Sequence, residues 1–211
     1  MVRYEGAEHY LPRERAVTSL RQAAAGCRGC DLFTDATQTV FGEGADRARL
    51  VLVGEMPGDR EDREGRPFVG PSGNLLDRAL GEAGIDRDTV YVTNAVKHFR
   101  FTREGNRRRR LHKKPTRSQI TACKPWLLAE LDAVRPDVVG LLGATAAQAL
   151  FDADFRVSAH RGEVLKLPGL DDPPLAVATV HPSAVLRARD SDRERAYAEF
   201  VADLRVVAAA L

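Results

Sequence analysis

Leu50-Val51-Leu52-Val53-Gly54-Glu55-Met56-Pro57-Gly58-Asp59 is the stretch from which the fold class is read. Four consecutive apolar residues predict a strand buried on both faces, because a strand with one wet face alternates apolar and polar side chains. The glycines that follow permit a tight turn and a close approach of backbone to a ligand. Similar apolar runs, bounded by Gly or Pro, recur at Val90 to Thr93, Val138 to Leu142 and Leu175 to Val180. Helical periodicity fills the intervals at Glu14 to Ala25, Ser72 to Ala83, Thr116 to Val134, Ala144 to Leu150 and Ser191 to Leu211. Thr116 or Ser118 can cap the third of these, and Pro136 follows its end. Strands alternating with helices predict an α/β fold, a three-layer α/β/α sandwich around a central, mainly parallel four-stranded sheet. Ligands in such folds bind beyond the carboxyl ends of the strands. Those ends are the Gly54 to Gly58 turn, Asn94, Gly143 and His181-Pro182-Ser183.

A chain of 211 residues is long enough to bury a core without disulfide staples and is read as one domain over 1–211, with a basic insertion at about 100–115. No apolar run approaches the roughly 20 residues that cross a bilayer, and the start from Met1 to Glu14 is too polar for a signal peptide. A cytoplasmic monomer with no membrane partner is the expectation. Three cysteines argue against a disulfide framework, and Cys27-x-x-Cys30 in a reducing compartment points to a metal or redox site.

The net charge is only +2, yet Lys97 to Arg117 holds Arg107-Arg108-Arg109-Arg110-Leu111-His112 together with Arg100, Arg103, Lys113 and Lys114, opposed by Glu104 alone. Charge this local reads either as a phosphate-binding surface or as a solvated loop. Each strand-end residue has a bland reading beside its chemical one. Glu55 is a solvated carboxylate or a participant in chemistry. Phe68, in the rigid loop Arg66 to Gly73, is core or a platform for an extruded base. Asn94 is a turn former or reads the donor and acceptor of a pyrimidine edge. Pro182 biases His181 to an extended backbone, so that its imidazole projects from the strand end.

Together these features resemble the uracil-DNA glycosylase superfamily from about Cys27 to the end of the last strand. The Gly54 to Gly58 turn looks like its first motif and His181-Pro182-Ser183 like its second. Cys27, Cys30 and Cys123-Lys124-Pro125-Trp126 are similar to the iron-sulfur branch, and the basic run ending in Leu111-His112 is similar to the UdgX class, typically Lys-Arg-Arg-Ile-His. The resemblance implies base excision repair of uracil-containing DNA, single strands included, with free uracil as product. It also implies a covalent bond between His112 and C1′ of the abasic sugar.

On the same resemblance Glu55 and His181 join His112 in catalysis, Glu55 as a base towards His112 or as an electrostatic stabiliser of the sugar cation. Gly54, Met56, Pro57, Gly58, Asp59, Phe68 and Asn94 bind the substrate. Arg107, Arg108, Arg109, Arg110 and Ser183 hold DNA. A 4Fe-4S cluster falls to Cys27, Cys30 and Cys123, with His98 as fourth ligand where ordinary members carry a cysteine. Zinc is the rival, since three cysteines and a histidine also make a tetrahedral site. Met56 departs from the Gln usual in the class and lacks that amide's hydrogen bonds.

Overall fold

Val51 and Val53 point to one face of their strand and Leu50 and Leu52 to the other, and each pair is buried in a separate apolar cluster. A sheet covered on both faces follows. The computed structural model describes residues 3–103, 110–168 and 173–211. In chain order the main elements are α1 (Val17–Ala24), β1 (Leu50–Gly54), α2 (Asp59–Glu64), α3 (Pro71–Glu82), β2 (Val90–Asn94), β3 (Phe101–Arg103), β4 (Arg110–His112) and α4 (Arg117–Val134). They continue with β5 (Val138–Leu142), α5 (Ala144–Leu150), α6 (Val157–His160), β6 (Val164–Lys166), β7 (Leu175–Thr179), α7 (Pro182–Leu186) and α8 (Asp190–Ala209).

The central sheet has the order β2-β1-β5-β7-β6. The first four strands are parallel, and β6 runs antiparallel to β7. The expected three layers are present, but the expected four strands are five. The added β6 is a three-residue edge strand with exposed Val164 and Lys166, held by its pairing with β7. The basic insertion contributes a second, two-stranded sheet in which Phe101 stands opposite His112 and Arg103 opposite Arg110. Leu20 of α1, Trp126 and Leu127 of α4 and Ala146 of α5 cover one face of the main sheet. Leu76 and Leu80 of α3 with Phe200, Leu204 and Val207 of α8 cover the other. Thr116 caps α4, its hydroxyl accepting from Gln119 N at 3.3 Å while Gln119 Oε1 accepts from Thr116 N at 2.8 Å.

A buried ion pair lies under β2. Lys97 Nζ donates to Glu130, to Thr93 Oγ1 at 2.7 Å and to the Asn94 carbonyl at 2.8 Å. Glu130 also accepts from Tyr91 OH at 3.0 Å and Gly42 N at 3.0 Å. Both charges are fully buried, so their mutual attraction largely offsets their desolvation, and losing one partner strands the other. Lys97→Met is therefore expected to destabilise the fold by about 3 kcal/mol, and Lys97→Met with Glu130→Leu to recover much of that loss. Urea denaturation of the three proteins checks it, and a double variant no more stable than the single one would contradict it.

Candidate active site

The parallel register sets Gly54 opposite Asn94, so the turn after β1 and the end of β2 lie side by side. Gly54 carries no side chain for a reason: a β-carbon there would lie 2.4 Å from Asn94 Oδ1 and 2.7 Å from Phe68 Cζ. A cavity of about 880 Å³ opens at these strand ends, walled by Glu55, Met56, Phe68, Asn94, His112 and His181 among others. Phe68 adopts φ 56°, a left-handed backbone that is uncommon for a bulky residue and costs on the order of 1–3 kcal/mol. Its loop is braced by Glu61, which accepts from Gly58 N at 3.1 Å and from Gly70 N at 2.8 Å and so ties the first motif to the Phe68 loop. The Phe68 ring stands 6.3 Å from the His181 ring with 27° between the planes.

His181 follows β7 with extended backbone (ψ 139°) and caps α7. Its Nδ1 accepts from Ser183 N at 3.2 Å, which in the neutral ring leaves the hydrogen on Nε2. Burial, and then the nearby Arg187 and His112, push the His181 pKa down to about 4. The ring is thus a neutral donor at ordinary pH. His112, at the end of β4, places Nε2 3.5 Å from Glu55 Oε1. Its pKa is lowered by burial first and by Arg187 and Lys114 after it, with Glu55 opposing, so its neutral form is favoured too. The other Glu55 oxygen accepts from Thr145 Oγ1. Lys113, Lys114 and Arg187 line the same cavity and supply positive charge for a phosphate.

The three cysteines are buried and form no disulfide. Burial pushes Cys30 to about 11 and Cys123 to about 12, so these thiols need a metal to become thiolates. Trp126 Nε1 donates to Cys27 Sγ at 3.2 Å and Lys97 N to Cys123 Sγ at 3.3 Å, contacts that suit sulfur carrying negative charge. His98, one residue after Lys97, is buried, and burial above all pushes its pKa down to about 4. Thr39 gives its hydroxyl hydrogen to the Ala24 carbonyl at 2.9 Å, so towards His98 Nε2, also at 2.9 Å, it accepts. The His98 hydrogen is therefore on Nε2, and its Nδ1 keeps a lone pair, the arrangement of a metal-ligating histidine with its outer partner. Among the described residues no three His, Cys, Asp or Glu side chains converge where a single ion could be held. By chemistry alone, three buried thiols and an imidazole are a donor set that suits either an iron-sulfur cluster or a tetrahedral zinc.

Of the residues expected at the site, Glu55, Met56, Gly58, Phe68, Asn94, His112, His181 and Ser183 line one cavity. Gly54, Pro57 and Asp59 are not in its lining. Gly54 packs under Asn94 and Phe68, and the Asp59 carboxylate is held by Arg110 and Arg63. Arg107, Arg108 and Arg109 lie outside the described residues. Arg110, expected on DNA, is placed differently: its side chain is 8% exposed, paired with Asp59 and with Asp62 at 2.5 Å, and stacked over Phe99 and Phe101. Thr145 and Glu61 were missed as lining residues, whereas Arg187, which follows His181-Pro182-Ser183 closely enough in sequence to touch DNA, does line the cavity. At Thr145 the sequence marks only position, since Gly143-Ala144-Thr145 reads as a strand end turning into a helix and as nothing more.

The cavity at the strand ends thus brings together a neutral imidazole donor, the buried Asn94 amide and a carboxylate facing a second imidazole. The family model of the uracil DNA glycosylase superfamily matches residues 41–205, and the chain belongs to that superfamily. Within it, the chain is 37% identical over 184 residues to the Type-4 uracil-DNA glycosylase of Thermotoga maritima, covering 87% of this chain and 90% of that protein. It is 39% identical over 164 residues to the Type-4 uracil-DNA glycosylase of Archaeoglobus fulgidus, covering 76% and 78%. The Type-5 uracil-DNA glycosylase of Pyrobaculum aerophilum is 31% identical over 153 residues, covering 64% and 62%.

The neutral buried His181 imidazole carries a pH dependence. Histidine titrates near 6.5 when unperturbed, whereas burial pushes His181 down to about 4 in the fold. Between those values the unfolded chain binds a proton that the folded chain refuses, so this stability is full above about 6.5 and falls as pH drops towards about 4. Urea midpoints measured at pH 7, 5.5 and 4.5 should decrease in that order, and His181→Gln should make the decrease shallower. An equal decrease in the two proteins would contradict the burial of a neutral His181 ring.

Proposed function

We propose that the chain excises uracil from DNA and that His112 then bonds to C1′ of the abasic deoxyribose, holding the protein on its lesion. Membership of the superfamily and the Type-4 relatives support the excision. The observation that carries the capture is the apposition of His112 Nε2 and Glu55 Oε1, 3.5 Å apart in the same cavity as the His181 donor.

A glycosidic bond inside stacked DNA is out of reach, so the nucleotide is extruded into the cavity or taken from a single strand. Phe68 stacks on the base and the Asn94 amide reads its O4 and N3 edge, which differs in donor and acceptor from that of cytosine. Breaking C1′–N1 sends the electron pair out with uracil and leaves positive charge on the sugar. His181 Nε2–H donates to uracil O2 and stabilises the departing anion. Glu55 stabilises the cationic sugar from the other side. In the tautomer with its hydrogen on Nδ1, neutral His112 then forms the bond to C1′ through the Nε2 lone pair, and the imidazolium so made gives its Nδ1 proton to water, leaving a stable N-alkyl link. Lys113, Lys114 and Arg187 hold the flanking phosphates.

Cys27, Cys30, Cys123 and His98 would hold a 4Fe-4S cluster, which supplies a structural cross-link and no step of base excision. Their own work is to tie the segment before β1 to α4 and to the end of β2, where Lys97 joins Cys123 to Asn94.

Incubation with a uracil-containing oligonucleotide and denaturing electrophoresis tests the function. A heat-stable protein–DNA adduct that disappears in His112→Ala is the expected result. Free abasic DNA from the unaltered protein would replace capture with ordinary hydrolysis, and an untouched oligonucleotide would remove the whole reading. Elemental analysis tests the metal separately: iron with acid-labile sulfide, lost in Cys123→Ala, is expected, and zinc without sulfide would overturn the cluster.

A further inference from the structure

We propose that Thr145 is a positioning residue for base excision, its hydroxyl holding one oxygen of Glu55 so that the other faces the sugar and His112. The inference rests on the excision reading above and goes beyond it by naming what aims the carboxylate.

Glu55 stands on the turn after β1, where Ala95 N donates to the Gly54 carbonyl at 2.9 Å and Val96 N to the Glu55 carbonyl at 3.1 Å. Those bonds fix its backbone but leave the carboxylate free to rotate, since the terminal torsion of a Glu side chain has broad wells. Among the described residues, Thr145 Oγ1 is the one hydrogen-bond donor to that carboxylate, and it engages Oε2. Oε1 is left facing His112 Nε2 at 3.5 Å. The two oxygens are thereby divided between the scaffold and the reacting centre.

Thr145 can serve as a reference point because it is itself fixed. It is the second residue of α5, directly after Gly143 and Ala144. Gly143 has φ +93°, its amide donates to the Thr179 carbonyl at 2.8 Å, and a β-carbon on it would lie 3.0 Å from His181 Cβ. The turn that carries Thr145 is therefore packed against Thr179, the last residue of β7, and against His181 itself. Threonine in a helix has only two favoured χ1 rotamers, so the hydroxyl occupies discrete positions and does not track a wandering carboxylate continuously. Placed this way, one turn indexes both the group that stabilises the leaving base and the group that stabilises the sugar. A hydrogen bond to a charged oxygen in a half-buried site is strong enough for this to matter to the rate.

The test measures release of free uracil in single turnover, a readout that does not depend on covalent capture. Thr145→Val keeps the shape and removes the hydroxyl, and should slow release roughly ten- to a hundredfold, the loss of one hydrogen bond to a charged group. The half-saturating DNA concentration should stay unchanged. Thr145→Ser should restore most of the rate. In a Glu55→Gln background the valine substitution should add little, since the two act through one contact. Unaltered release in Thr145→Val, equal slowing in both backgrounds, or a serine variant as slow as the valine one would each overturn the proposal while leaving the excision reading intact. A protein that releases no uracil before any substitution overturns both. Circular dichroism melts identify a valine variant that fails to fold, and Thr145→Ala is then read in its place.

Discussion

Gly54 is the constraint on which the site depends. The parallel register of β1 and β2 puts its Cα under Asn94, and the Phe68 ring closes over the same point, leaving 2.4 Å and 2.7 Å where a β-carbon would have to fit. Three chain segments meet there because one of them has no side chain. Asn94 is then held from below by the Lys97 ammonium on its carbonyl, and Phe68 by a loop whose strained backbone is braced through Glu61. Strain of this kind survives only where surrounding contacts over-determine the conformation, as the two glycine amides on Glu61 do here.

The electrostatics of the cavity divide into a neutral interior and a cationic rim. His181 and His112 both favour the neutral state, the first strongly and chiefly by burial, and Arg187 adds to the effect on each. Cations beside an imidazole serve two ends at once. They attract phosphate, and they keep the imidazole from taking a proton that would remove its lone pair. At His112 two carboxylates oppose them, Glu55 at 3.5 Å first and Glu61 after it, and neither does so at His181.

The four parallel strands were legible because each is an apolar run buried on both faces, and the residues at their ends then follow from topology. β6 was not legible, since Val164, Leu165 and Lys166 form no run and gain their conformation from pairing with β7. Thr145 reads in sequence as an ordinary residue of a helix start, and Glu61 as one acid among several in α2; only the tertiary partner tells either from its neighbours. The histidine tautomers were likewise hidden, because they are decided by Ser183 N and by the direction of the Thr39 hydroxyl. Cysteine spacing pointed to a metal or redox site, but the hydrogen bond at His98 Nε2 comes from Thr39, 59 positions away.

Arg110 shows how charge in a sequence can mislead and then inform. It closes a run of four arginines that composition treats alike, yet its guanidinium is stacked on Phe99 and Phe101 and paired with Asp59 and the fully buried Asp62, itself fixed by Thr37 N at 3.0 Å. An arginine so enclosed contributes position instead of phosphate affinity. Side chains two apart on a strand share a face, so anchoring Arg110 against α2 turns His112 to the same side, towards Glu55. The pairing of Phe101 with His112 across the hairpin completes the constraint. The imidazole thus reaches the cavity from a strand paired with β3 and anchored to α2 through Arg110, and a side chain carried on a rigid element is placed more precisely than one on a loop.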